Sequence, residues 1–365
     1  MTRVRFGILG CGKIGRRHAE HILRNRDAML VGVYDIVPER AESFATTYKC
    51  RRFNSFEESL HAELDVVNVC TPSGLHASMS VDALMAGKNV LCEKPMTICL
   101  GDADQVVRAE RTSGKRFFLV KQNRFNPPVK ALKECVRSGR LGRILFMGCS
   151  VLWNRTREYY IEDDWRGTMA LDGGALMTQC SHFLDLMLWI GGAVRAVDAR
   201  MHNLAHPYIE TEDTGMVSLE FSSGAQGVLQ YTTATHKENF EGALTALGTT
   251  GTIKVGGQYL NLLEYWSVEG CETPVLETGA GPNDYGTYRG SMSNHDKVID
   301  NVIRVLNGLE QIATNSAQGR ESIEVMQAAY ISAITARRVA IPLTGDDYTF
   351  RIGEHLPLSG RRKTK

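Results

Sequence analysis

One short stretch constrains this chain more than any other. The apolar run Val4-Arg5-Phe6-Gly7-Ile8-Leu9 leads straight into Gly10-Cys11-Gly12-Lys13-Ile14-Gly15, and Asp35 stands 20 residues beyond Gly15, at the end of a second apolar run from Met29 to Tyr34. This spacing fits a strand that turns sharply at Gly10, approaches a phosphate closely at Gly12, and starts a helix packed back on the sheet at Gly15. The first N–H groups of that helix, around Lys13 and Ile14, have no partner within the helix and face an anion. A carboxylate at Asp35 accepts hydrogen bonds from the 2′- and 3′-hydroxyls of a ribose and repels a 2′-phosphate. The pattern therefore predicts a dinucleotide site that favours NAD over NADP.

The rhythm of the first third agrees. Helical spacing over 38–47, 76–86 and 101–112 alternates with short continuous apolar runs at 65–70, 88–92 and 116–120. Strands apolar on both faces and separated by helices form a parallel, doubly wound sheet, whose ligands gather at the carboxyl ends of the strands. Thr71, Pro72, Ser73, Glu93, Lys94, Gln122 and Asn123 all fall at such ends, and His76 opens the helix after one of them. These residues join Gly10, Gly12, Lys13, Ile14, Gly15 and Asp35 as the expected cofactor site.

From about residue 143 the period changes. Longer alternating strands are predicted at 143–151, 194–201, 212–221, 224–235, 242–247 and 252–255. They describe a large, mostly antiparallel sheet, open on one face. Helices are predicted from near Gly174 to Ile190, over 295–307 and over 320–337, and 279–294 reads as a substrate-edge loop. The expected organisation is a Rossmann domain at 1–123, an α+β substrate and oligomerisation domain at 124–350, and a tail at 351–365.

Composition excludes several classes. With 42 basic against 41 acidic residues, the net charge of +1 supplies no field for nucleic acid or an anionic membrane, and the basic end Arg361-Arg362-Lys363-Lys365 reads as a solvated terminus. The longest apolar stretch, 175–194, is broken by His182 and Asp185, so no membrane span is predicted. A strand beginning at residue 4 leaves no room for a signal peptide, which points to the cytoplasm. The 9 cysteines include no CxxC pair, so reduced core thiols are expected and a metal site is not.

Oxidising a secondary alcohol with a nicotinamide requires a group that takes the hydroxyl proton as the carbon loses hydride. Lys94 and His182 are the candidates. Lys94 lies at a strand end beside the cofactor site, where burial and a cationic nicotinamide would lower its pKa, and Pro95 keeps it out of helical geometry. His182 shares a predicted helix with Thr178 and Asp185 at i−4 and i+3, and the preceding Gly173-Gly174 is expected to let a ligand come close.

Gly10-Cys11-Gly12, Thr71-Pro72-Ser73, Glu93-Lys94-Pro95, Asn123-Arg124-Phe125-Asn126-Pro127 and Gly173-Gly174 with His182 and Asp185 together resemble the glucose–fructose oxidoreductase/inositol dehydrogenase/rhizopine catabolism family. The resemblance spans almost the whole chain. It implies that Lys94 hydrogen-bonds the reacting hydroxyl, that His182 acts as or assists the base, and that the open sheet builds dimers and tetramers. Lys121 to Arg124, Trp153 to Tyr160, Trp165-Arg166-Gly167 and Glu212 to Gly215 are most similar to the UDP-N-acetyl-2-amino-2-deoxyglucuronate 3-dehydrogenases of that family. This implies oxidation of a sugar C3 hydroxyl, with Trp165 and Arg166 at the cofactor. The product would feed an aminotransferase on the way to surface polysaccharide, and 2-oxoglutarate is a candidate reoxidant of NADH. Thr178 stands where the inositol dehydrogenases carry Asp, which disfavours inositol.

A UDP-linked uronate carries a carboxylate and a diphosphate, so its site wants guanidinium forks and aromatic faces. Arg155, Arg157, Tyr159 and Tyr160 supply both in one stretch. Asn123, Arg124, Thr178, Arg166, Tyr285, Tyr288 and Asn294 are further candidates for the same pocket.

Overall fold

The continuous apolar runs of the first third become a sheet buried on both faces. Strands β1 (Val4–Leu9), β2 (Ala28–Tyr34), β3 (Arg51–Arg52), β4 (Val66–Val69), β5 (Asn89–Cys92) and β6 (Phe117–Leu119) lie in the order β3-β2-β1-β4-β5-β6. Every neighbouring pair is parallel. Helices Lys13–Arg24, Pro38–Tyr48, His76–Met85 and Leu100–Ser113 follow strands in the alternating pattern that parallel pairing requires. The strand order reverses between β1 and β4, the point at which a doubly wound sheet opens a crevice for its ligand.

The computed structural model describes residues 2–279 and 281–352, and the chain divides into two units, 1–121 with 295–321 and 122–294 with 322 onward. The remaining basic tail and most of the expected 351–365 segment lie outside the described residues. One expectation is corrected here. The helix His295–Leu306, expected in the second domain, packs against Lys13–Arg24 in the first unit, burying Val298, Ile299, Val302 and Ile303. The chain returns to its first unit after completing most of the second, and the hydrogen bond from the Leu119 N–H to the Thr314 carbonyl ties this return to the edge of β6.

In the second unit, β7 (Ile144–Leu152), β8 (Val194–His202), β9 (Thr214–Phe221), β10 (Gln226–Thr232), β11 (Glu241–Gly248), β12 (Gly251–Gly256) and β13 (Leu262–Val268) form one sheet. After the two-stranded ribbon β14 (Pro282–Asp284) and β15 (Arg289–Met292), β16 (Val339–Ala340) adds the last edge. The order is β13-β12-β11-β7-β10-β9-β8-β16, antiparallel except for β7 with β10. Alternation decides the faces: Val217, Leu219 and Phe221 of β9 are buried while Met216 and Ser218 are exposed. Helix Ser181–Gly191 packs on β7 and helix Pro127–Arg137 on β12, covering one face. The ribbon β14–β15 occupies the stretch expected to be a loop, because its few residues alternate too little to register as strands. Among the described residues no helix is long and apolar enough to cross a membrane, and all nine cysteines are free thiols.

Candidate active site

In the first unit the fingerprint takes up the geometry its glycines predict. Gly10 sits at φ +96°, and a Cβ there would lie 2.6 Å from the Cys70 carbonyl oxygen at the end of β4; one on Gly15 would lie 2.1 Å from the Gly10 carbonyl oxygen. A Cβ on Gly12 would meet nothing within 4 Å, and the helix that starts at Lys13 has no side-chain cap. Open space in front of uncapped N–H groups is what a pyrophosphate needs. Asp35 braces this loop. Its Oδ2 accepts the Cys11 N–H at 2.8 Å and its Oδ1 the Val37 N–H at 2.9 Å. Each oxygen keeps a lone pair for a ribose hydroxyl. Arg40 lies 3.8 Å from Oδ2, so Asp35→Ala would leave a guanidinium ready for a 2′-phosphate. That variant is expected to lower the NAD over NADP ratio of kcat/KM by about tenfold, roughly 1.4 kcal/mol; an unchanged ratio would remove Asp35 from cofactor selection.

His76, expected at the cofactor, lies with both ring nitrogens against main-chain carbonyls. It is 1% exposed, with Nδ1 at 2.7 Å from the Pro95 carbonyl and Nε2 at 2.8 Å from the Thr71 carbonyl. The ring thus sits between the loop after β4 and the loop after β5, and because burial pushes its pKa down it is a neutral imidazole that donates to one of the two carbonyls. Glu93 is likewise spent on bracing. Its Oε1 lies 2.8 Å from His18 Nε2 and 3.5 Å from His295 Nε2, and its Oε2 accepts the Lys94 N–H at 3.1 Å. Burial pushes this carboxyl up, but the two imidazoles outweigh it and hold Glu93 well below the usual carboxylate range. The main chain of Lys94, half-buried before a cis proline bond, is thereby held by a buried, charged neighbour. The ligand atoms of His18, Glu93 and His295 lie within 4.8 Å of one another, a spacing that the His18–Glu93 hydrogen bond and the 3.5 Å approach of His295 to the same carboxyl account for. No sequence pattern marked His18 or His295, since their partnership is made only by the returning chain.

In the second unit, residues Gln122–Phe125 form a single 3₁₀ turn. Asn123 is 1% exposed and neither amide atom has a protein partner, nor does Gln122 Oε1. Buried amides of this kind are rare unless a ligand or water satisfies them. Arg124 is not available in the same way: its Nε and Nη2 bind the two Asp185 oxygens, each at 2.8 Å, with the guanidinium over the Trp189 ring. Arg124, expected at the sugar, is held by Asp185 and braces the helix that carries it. Asn294 also braces, donating to Asn126 Oδ1 at 2.7 Å.

The single helix expected from Gly174 is two helices. Ala175–Thr178 ends at Gln179, and Ser181–Gly191 starts afresh, with His182 2% exposed in its first turn. Thr178, whose hydroxyl donates to the Gly174 carbonyl at 2.9 Å, is therefore not on one continuous face with His182 and Asp185. Gly174, at φ +110°, also has another cause than ligand approach. A Cβ there would lie 2.4 Å from Glu212 Oε2 and 2.3 Å from the Tyr330 hydroxyl.

The arginine and tyrosine stretch folds into an aromatic cage. Arg155 is 1% exposed, its guanidinium over the rings of Trp153, Tyr159 and Tyr288, with Nε donating to Gln179 Oε1 at 2.9 Å. Arg166 lies 4.3 Å above the Tyr159 ring and pairs with Glu162 and Asp163. Tyr159 and Tyr288 meet edge to face at 4.8 Å, and Tyr285 stacks on Tyr288. Tyr160 bonds Thr233 at 3.1 Å in the adjoining core, Trp165 is half-buried beside Arg166, and Arg157 is exposed near Tyr208. Arg155 is thus held inside the cage, and Arg157 alone of the two points to solvent.

A doubly wound unit with an NAD fingerprint, joined to an open-faced antiparallel sheet, defines an NAD-dependent oxidoreductase. Residues 4–121 match the oxidoreductase family with an NAD-binding Rossmann fold, and 129–254 match the GFO/IDH/MocA C-terminal domain. The chain belongs to the GFO/IDH/MocA family. It is 35% identical to the WlbA dehydrogenase of Bordetella pertussis in complex with NADH and UDP-GlcNAcA, with a TM-score of 0.85 over 94% of this chain and 100% of that one. It is also 35% identical to WlbA of Chromobacterium violaceum in complex with the same two molecules, with a TM-score of 0.84 over 94% and 98%. The inositol 2-dehydrogenase of Rhizobium meliloti strain 1021 is 26% identical over 348 residues, 93% of this chain and 99% of that protein.

Proposed function

We propose that this protein oxidises the C3 hydroxyl of UDP-N-acetyl-2-amino-2-deoxy-D-glucuronate to a ketone, with NAD as hydride acceptor. The observation that carries the reading is the 35% identity, over essentially both chains, to two dehydrogenases in complex with NADH and UDP-GlcNAcA. The nicotinamide, when bound, takes the hydride from C3. Lys94 hydrogen-bonds the reacting hydroxyl, and its main chain is fixed for that task by Glu93. His182 takes the hydroxyl proton. Asn123 offers a buried amide to the sugar, and the cage of Arg166, Tyr159 and Tyr288, with Arg157 outside it, suits the carboxylate and diphosphate. The family resemblance further supports a cytoplasmic homotetramer, and a product consumed by an aminotransferase in surface polysaccharide synthesis.

A second reading, a dehydrogenase of another sugar or a cyclitol, has the support of the likeness to inositol 2-dehydrogenase. The two are separated by incubating the protein and NAD with the nucleotide uronate, UDP-N-acetylglucosamine, free sugars or myo-inositol, with and without 2-oxoglutarate. Mass spectrometry is expected to show the nucleotide uronate losing a pair of hydrogens, and dependence on 2-oxoglutarate would show NADH recycled in place. Turnover of a free sugar or inositol with the uronate untouched would overturn the substrate assignment.

A further inference from the structure

Glu212 lies two residues before β9, in a stretch that carried the family resemblance but was given no role of its own, and is fully buried at 0% exposure. Its Oε1 accepts three hydrogen bonds: from the Leu176 N–H at 2.8 Å, the Tyr330 hydroxyl at 2.8 Å and the Tyr231 hydroxyl at 3.1 Å. Its Oε2 has no hydrogen-bond partner and sits where a side chain on Gly174 would be. Leu176 is in the first turn of Ala175–Thr178, so the carboxyl caps that short helix as an anion caps a helix N-terminus. From the end of that helix only Gln179 and Cys180 lead into the first turn of the next, which bears His182. Gln179 also holds Arg155 and donates to the Tyr159 hydroxyl at 3.0 Å. One buried carboxyl therefore anchors the segment from which both His182 and the arginine–tyrosine cage are hung.

We propose that Glu212 is a positioning residue for the dehydrogenation, and that it holds the Gly174–His182 segment in working geometry as a carboxylate, loosening it when protonated. The proposal rests on the reading of His182 as the group that takes the substrate proton. The titratable groups around this carboxyl are Tyr231 on β10, Tyr330 on the helix Ser316–Thr335, and Cys180 and Asp172 flanking the short helix. None brings a positive charge. Burial consequently pushes Glu212 up to about 7, against the hydrogen bonds that lower it. Ionisation strengthens all three bonds to Oε1, because hydrogen bonds to a charged acceptor are about twice as strong as neutral ones. It also costs folding free energy. A carboxyl whose pKa is raised on folding gives stability at low pH that is lost as pH climbs from the ordinary carboxylate range to about 7. Glutamine would escape that loss while keeping an acceptor oxygen for Leu176, so Glu212→Gln is expected to fold.

The test is the ratio of kcat between Glu212→Gln and the parent protein, measured with the nucleotide uronate and NAD across the range in which Glu212 titrates. The ratio is expected near unity on the acid side and about fivefold or more below it on the alkaline side, roughly 1 kcal/mol. Any limb contributed by the proton-accepting group is common to both proteins and cancels. A ratio independent of pH would mean a merely structural role and overturn the proposal. Hydrogen exchange of residues 174–182 gives a reading that needs no turnover: on the alkaline side the segment is expected to exchange faster in the variant than in the parent. Equal exchange would overturn the proposal, whereas faster exchange in the variant with no turnover of the uronate by either protein would sustain the anchor and count against the substrate reading alone.

Discussion

Lys94→Ala is expected to reduce kcat by about a thousandfold or more, some 4 kcal/mol of barrier, while the dissociation constant for NAD stays within about threefold. The asymmetry follows from where the residue sits. The phosphate cradle is built from main chain at Gly10 to Gly15 and from Asp35, none of which needs the Lys94 side chain. Glu93 fixes the Lys94 main chain, and its own charge is secured by His18 and His295, so the truncated side chain leaves the loop standing. Steady-state kinetics and a fluorescence titration of NAD check both halves. Activity within threefold of the parent would mean that Lys94 does not touch the reacting hydroxyl.

Asp185→Ala is expected to destabilise the second unit by about 3–5 kcal/mol, because it leaves the Arg124 guanidinium buried without its counter-charge. The side chains of the pair are only 5% and 2% exposed, and Nε and Nη2 of the guanidinium each bind one carboxylate oxygen. Replacing both partners with apolar residues, as in Arg124→Met with Asp185→Leu, is expected to recover most of the loss, since the larger cost lies in the unpaired charge. Thermal unfolding followed by circular dichroism measures this. A drop of under about 1 kcal/mol for Asp185→Ala would mean that solvent reaches Arg124 and that the arginine is free for a ligand.

The elements differ in how legible they were. The βα alternation of the first third could be read closely, because strands buried on both faces are continuous apolar runs and their ends carry prolines, glycines and polar residues. The strand β13 and the ribbon β14–β15 could not, since Leu262 to Val268 is largely exposed and the ribbon strands are too short to show a period. The unbroken apolar pattern from Gly174 to Ile190 concealed a break between two helices at Gln179 and Cys180. Periodicity reports which residues are apolar, not whether hydrogen bonds run uninterrupted beneath them.

By itself the sequence determined the cofactor site, because a glycine turn, a helix start and a carboxylate at the end of the next strand are local features whose geometry follows from their own backbone. It also placed Lys94 at a strand end and marked the arginines and tyrosines of the cage. Only the tertiary structure decided what those residues were free to do. Arg124 was taken by Asp185, 61 positions away; Glu93 was secured by His18, 75 positions away; and Gly174 answered to Glu212 and Tyr330 rather than to a ligand. A charged or polar side chain in the interior must find a partner, and which partner it finds is set by how the elements pack, information that no local spacing carries.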